Sequence, residues 1–410
     1  MGYDDPGRDA PVEPSSGVPI SGVPASVVEH GFDDPAHGEP GRDRVGVHVA
    51  WELVLAAGLA VLTWLLWRDG PAALRGDGLR VLLVDVVAVG LLVLAAGLSL
   101  RTAAVNLAVG PVAVAAALHV AEQGDRGVEV ALGHAAAVAA LGGLVVGLAV
   151  VVLHVPGWAA SLAAAAGVVV YIQRRADPVL VQAGYDPREN AFHLFAGFAA
   201  VAVLGGLFGA IHPVRRLVGR FRPVADPARR RGAVATTVVL AAFVTSTVLA
   251  MLAGVLLATN ADGPIVPTEG LGWTALAVGA ALLAGTSAYG RRGGIFGTVL
   301  AVSLVTVLFT WVEARGWTVS RWVVGGAALG AGLVITRLVE AYGRPRPADG
   351  DPEARPHGDG PISSGWSVAR PAPVDDWPTV PPTRADDPPA DPWDTPRWDS
   401  PPQRWDSGDQ

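Results

Sequence analysis

Between residues 49 and 340 the apolar residues come in runs of roughly 18–22, the length an α-helix needs to cross about 30 Å of hydrocarbon. In lipid, every backbone N–H and C=O has to find its partner inside the protein, which leaves helices as the element such runs build. Ten runs are present, at 49–67, 80–99, 103–121, 132–153, 156–172, 191–211, 233–257, 271–288, 295–312 and 322–340. The fifth is short and Ala-rich and follows Pro156 and Gly157, so a re-entrant segment is the alternative there. The expected fold class is all-α: a polytopic membrane helical bundle of about ten transmembrane helices.

The flanks differ in kind. Residues 1–47 and 343–410 are dominated by Pro, Gly, Asp and Glu. They hold too little apolar surface to offset the entropy of ordering, so disordered tails are expected on either side of a 48–342 membrane domain. Mean hydropathy is +0.41 with these polar tails included, and only 16% of residues are charged. Residues 1–47 contain no apolar segment of a cleavable signal, so the first span is expected to act as an uncleaved anchor.

Arginine placement sets an expected orientation. Arg215, Arg216, Arg220, Arg222, Arg229, Arg230 and Arg231 share the 212–232 loop, whereas 258–270 carries Asp262 and Glu269 and no Arg. With ten spans, the arginine-rich loop and both termini fall in the cytoplasm, in a multi-pass protein of the cell membrane. Trp64, Trp67, Trp158, Trp273, Trp311, Trp317 and Trp322 lie near span ends, where amphipathic rings favour the headgroup zone.

Several chemistries are excluded or unsupported. Without Cys there is no thiolate, disulfide or zinc cluster, and without Lys there is no phosphate-binding P-loop lysine. His119, His134, His154 and His193 have no metal-ligand spacing, and no Ser, His and Asp set suggests a nucleophile. Neither an enzyme, a cofactor nor a metal is expected. No folded basic face suggests nucleic acid. Two polar positions within spans are candidates for a transport pathway. Asp85 is costly in hydrocarbon and so expected to face a polar interior, or else to lie at the interface. Asn106, with Gly110 and Pro111, marks a candidate broken helix, the alternative being helix packing through an amide.

Gly285-Thr286-Ser287-Ala288-Tyr289-Gly290-Arg291-Arg292-Gly293-Gly294-Ile295-Phe296-Gly297-Thr298 resembles the G-T-S-x-x-G-x-x-G-x-x-x-G-T segment of ABC-transporter permeases of the ribose and branched-chain amino-acid importer type. Asn106-Leu107-Ala108-Val109-Gly110-Pro111 is similar to the D-L-S-V-G-S that opens the third helix of that family, with Asn in place of Asp. Ser161-Leu162 and Leu252-Ala253-Gly254 match shorter pieces, in the family's order. In the signature turn, Gly285, Thr286, Ser287, Gly290, Gly293 and Gly297 supply permissive backbone and close helix approach.

The resemblance implies the membrane-spanning subunit of an importer for a small polar solute of the sugar or amino-acid class. A separate ATP-binding subunit, an extracytoplasmic solute-binding protein and a homo- or heterodimer come with it. Arg220, Phe221, Asp226 and Arg229 would belong to the loop that docks on the ATPase. That loop lacks the family's G-G-N, and Pro223 and Pro227 interrupt any helix in it. The C-terminal tail repeats Trp-Asp at 393–394, 398–399 and 405–406. Those two departures support an alternative: a permease-derived scaffold recruiting cytoplasmic partners through its tail.

Overall fold

A computed structural model describes residues 45–182, 184–210, 233–286 and 295–343. The tails, the arginine-rich 211–232 loop with Arg220, Phe221, Asp226 and Arg229, and the turn residues Ser287, Gly290 and Gly293 lie outside these described residues.

The described residues are helical, with α-helices α1 (Val45–Asp69), α2 (Gly76–Arg101), α3 (Val109–Gln123), α4 (Val128–Leu153), α5 (Gly157–Ile172), α6 (Ala191–Ala210), α7 (Ala233–Thr259), α8 (Leu271–Leu283), α9 (Gly297–Ala314) and α10 (Arg321–Gly343). Each of the ten apolar runs falls on one of them. Seven of these helices are long and apolar enough to cross a membrane, namely α1, α2, α4, α6, α7, α9 and α10. The other three, α3, α5 and α8, have 15, 16 and 13 residues. At 1.5 Å per residue they reach only about 20–24 Å.

Burial is uneven in a way that suits a lipid solvent. Helices α2 and α7 form the centre, with Val84, Ala88, Leu92 and Val93 of α2 meeting Ala250, Ala253 and Leu256 of α7. By contrast α4 exposes Val138, Leu141, Val145 and Val152, and α6 exposes Phe192, Val201, Leu204 and Phe208. Large apolar side chains along one face of these helices would be costly in water and are at home in hydrocarbon. Trp64, Trp67, Trp158, Trp317 and Trp322 are exposed near helix ends, as interfacial rings should be. Seven long apolar helices with apolar side chains on their outer faces are the features of a multi-pass membrane protein.

Because lipid offers no hydrophobic drive for helices to associate, close packing has to hold the bundle. The α4 face toward α7 carries Ala131, Ala135, Ala139, Gly143 and Gly147, a small residue every fourth position. A Cβ on Gly143 would sit 2.7 Å from the Phe243 carbonyl oxygen, and on Gly254 of α7 it would overlap the carbonyl of Ala113 in α3. Helices α8 and α10 meet in the same way, through Gly279 and Gly325.

Candidate functional site

The run expected at 103–121 does not begin as a helix. Helix α2 ends at Arg101, Ala103 takes φ +55°, and α3 starts only at Val109. Hydropathy could not register this break, since Ala103, Ala104 and Val105 are as apolar as any span. Yet the segment is buried: Ala104 is fully covered, and Ala103, Asn106 and Ala108 are nearly so. Irregular backbone at such depth must be satisfied by side chains, and it is. The Asn106 Nδ2 donates to Ser246 Oγ at 2.8 Å and Thr247 Oγ1 at 3.3 Å, both on α7. Its Oδ1 accepts the Ala108 N–H at 3.0 Å. Ser161 of α5 accepts the Leu107 N–H at 3.0 Å and donates to the Val105 carbonyl at 2.9 Å. Thr274 of α8 accepts the Gly110 N–H at 3.0 Å and donates to the Leu107 carbonyl at 3.2 Å. Gly110 and Pro111 fall in the first turn of α3, where a proline's missing N–H costs nothing.

Helix α8 begins beside this break. A Cβ on Gly110 would overlap the Gly270 carbonyl oxygen, and Gly270 itself has φ +75°. The depth follows from register. Asn106 lies against Thr247 and Ala113 against Gly254, seven residues further along each chain (113 − 106 and 254 − 247), so α3 and α7 run alongside in one direction. Gly110 is then level with Met251, eight residues (259 − 251) from the α7 end at Thr259. That is about 12 Å along the axis. Both α3 and α8 therefore start inside the span of α7, N-terminus beside N-terminus. The chain reaches α8 through an extended stretch whose Ile265 pairs with Val179 as an isolated antiparallel bridge.

Asp85 belongs to a second polar group, near the α2 start. Its Oδ1 accepts a 2.8 Å bond from Asn260 Nδ2, which also donates to the Val81 carbonyl at 3.1 Å. Arg188 holds the other side of that amide, from Nε to Asn260 Oδ1 at 3.2 Å, and its Nη2 reaches Asp262 at 2.6 Å. Asp85 is thus tied to the residue that follows α7. At the α3 end, Arg175 donates to Glu122 at 2.7 Å and to the Tyr171 hydroxyl, and the Glu122 bond raises the Arg175 pKa further above its usual value.

In the 285–298 turn, Gly285 takes φ +92° and a Cβ on Gly297 would overlap the Ala284 carbonyl, the two needs expected of its glycines. Thr286 is buried, its N–H bonded to the Ala281 carbonyl. Glu52 of α1 accepts the Phe296 and Gly297 N–H groups at 2.8 and 3.0 Å, capping α9.

A third feature is a cavity of about 850 Å³ between α2, α6 and α7. Its walls are mainly apolar, including Leu94, Phe198 and Leu249, with Arg101, Thr286 and Thr298 at one end and Tyr185 and His193 among its other polar groups. It takes in none of Asp85, Asn106, Gly110 and Pro111. Sequence reasoning named Ser161 only as part of a family match and missed Ser246, Thr247 and Thr274, because hydroxyls in apolar helices usually bond their own preceding turn. Thr247 does so as well, to the Phe243 carbonyl at 2.6 Å. It also missed Arg101, a charge closing an apolar run.

Against known protein families, characterised proteins and solved structures, the chain shows no match.

Proposed function

We propose that this chain is the membrane-spanning subunit of an ABC-type importer that moves a small polar solute of the sugar or amino-acid class across the cell membrane. The observation that carries this reading is the pair of helices α3 and α8, which begin within the span of α7 and face each other N-terminus to N-terminus at Gly110 and Gly270. Transporters build their pathways at helices broken at membrane depth; here the backbone freed by the break is satisfied by polar side chains of neighbouring helices. Ser246 and Thr247 of α7, Ser161 of α5 and Thr274 of α8 gather polar side chains around Asn106 and the break that follows it. All ten helices count as crossings, the three short ones being completed by the irregular stretches joined to them. Both termini are then cytoplasmic. The ATP-binding subunit, the solute-binding protein and a dimeric arrangement enter through the resemblance of 285–298 and 106–111.

The test is purification of the full chain from its native membrane, followed by solute uptake in vesicles. A stoichiometric ATPase in the complex, and uptake that needs ATP, are the expected results. An intact complex without an ATPase, holding soluble partners that leave when 344–410 are deleted, overturns the importer and leaves the scaffold.

A further inference from the structure

We infer that the 850 Å³ cavity between α2, α6 and α7 is a lipid site, taking one amphiphile with a negatively charged headgroup at Arg101 and its apolar chain along α2. The length is right for a chain and excessive for a sugar. Along α2 the lining residues run from Val87 to Arg101. Fourteen residues of helix make about 21 Å, more than one leaflet of a hydrocarbon core about 30 Å thick. The walls are mainly apolar over this length, with Thr245 along it and His193 toward the Val87 end, and Gly97, Gly197 and Gly205 leave the cavity wide where side chains would narrow it.

The charge is what selects the headgroup. Arg101 is largely covered, lines the cavity, and among the described residues meets neither a carboxylate nor a hydrogen-bond acceptor. An arginine in that state holds unused donors suited to a phosphate or carboxylate, which can take two of them side by side. Thr286, which follows α8, and Thr298, in the first turn of α9, lie at the same end and add hydroxyls. The ends can be told apart. Asp69 and Trp311 tie the α9 C-terminus to the chain entering α2, so the α9 N-terminus lies toward the α2 C-terminus. An amphiphile therefore meets a positive charge at one end only, at Arg101, and a mainly apolar wall along its body. This inference does not depend on the importer reading, since the cavity shares no residue with the Asn106 break.

The experiment places the full-length protein in phosphatidylcholine vesicles containing a trace of either phosphatidylglycerol or phosphatidylcholine, each bearing a photoreactive group at the end of one acyl chain. Labelled peptides are then mapped. Phosphatidylglycerol is expected to label cavity residues of α2, α4 and α6 in preference to phosphatidylcholine, while the exposed face of α4 labels equally with both. Arg101→Gln should lower cavity labelling by phosphatidylglycerol roughly tenfold, the loss of one charge-assisted hydrogen-bonded contact, and Arg101→Lys should restore part of it. Gly97→Phe, at a site with no atom within 4 Å of an added Cβ, should block cavity labelling by both lipids even if Arg101→Gln fails to fold. Equal labelling by the two lipids, no effect of Gly97→Phe, or protection by inorganic phosphate as complete as by unlabelled phosphatidylglycerol would each overturn the inference.

Discussion

Truncating Asn106 to Ala removes three things at once. Two side-chain bonds, to Ser246 and Thr247, are lost. Inside membrane proteins such bonds contribute on average about 0.6 kcal/mol each, so together about 1 kcal/mol. The Ala108 N–H then loses its acceptor in a position that is almost fully covered, and an orphaned buried donor costs about 1–3 kcal/mol. The sum is about 2–4 kcal/mol. The Ser246→Ala change is milder, because Asn106 keeps its Thr247 bond and the Ala108 N–H keeps its acceptor. Reversible unfolding of the four proteins of this double-mutant cycle, in one detergent, gives the coupling between the two side chains. A coupling of about 0.6–1.7 kcal/mol is expected. Strictly additive losses, or an Asn106→Ala protein as stable as the parent, would refute the claim that this amide holds the break between α2 and α3.

Two further outcomes follow from packing and from the Asp85 group. Gly254→Ala puts a Cβ into the Ala113 backbone, whereas Gly133→Ala and Gly142→Ala meet nothing within 4 Å; thermal unfolding should show a loss of about 1–3 kcal/mol for the first and no loss for the others. Asp85→Asn keeps the oxygen that accepts from Asn260 and should leave both stability and uptake near the parent's, while Asp85→Ala destabilises. Uptake abolished by Asp85→Asn in a stable protein would restore the carboxylate to the transport pathway.

Hydropathy made the helices legible because lipid forces every crossing element to be apolar and helical, and each apolar run found its helix. Helix ends were less legible. The 103–121 run loses its first six residues to the break, since the test for a span counts apolar side chains and not backbone hydrogen bonds. Similarly, the 271–288 run yields a helix that stops at Leu283, with Gly285 at φ +92° beyond it. At Asn106 an amide in an apolar run was a readable sign of trouble with the backbone, but its partners were not. Ser246 and Thr247 are 140 and 141 residues away in sequence, and nothing in their neighbourhood separates them from Thr245, which instead lines the cavity. Asp85 was read as a costly charge; its carboxylate accepts from Asn260, just past the α7 end, and Arg188 holds that amide from its other side.

The three helices that fall short of a crossing are not scattered through the bundle. Residues Ser161 of α5, Gly110 of α3 and Thr274 of α8 all bond to the 105–110 stretch or to one another. A span shortened at random would leave its orphaned backbone groups facing lipid, at several kcal/mol each. Here the Leu107 and Gly110 N–H groups and the Val105 and Leu107 carbonyls are taken up by the hydroxyls of Ser161 and Thr274, each serving as both donor and acceptor. The discontinuity is therefore held jointly, by Ser161 of α5 and Thr274 of α8 bonding the same 105–110 stretch that leads into α3.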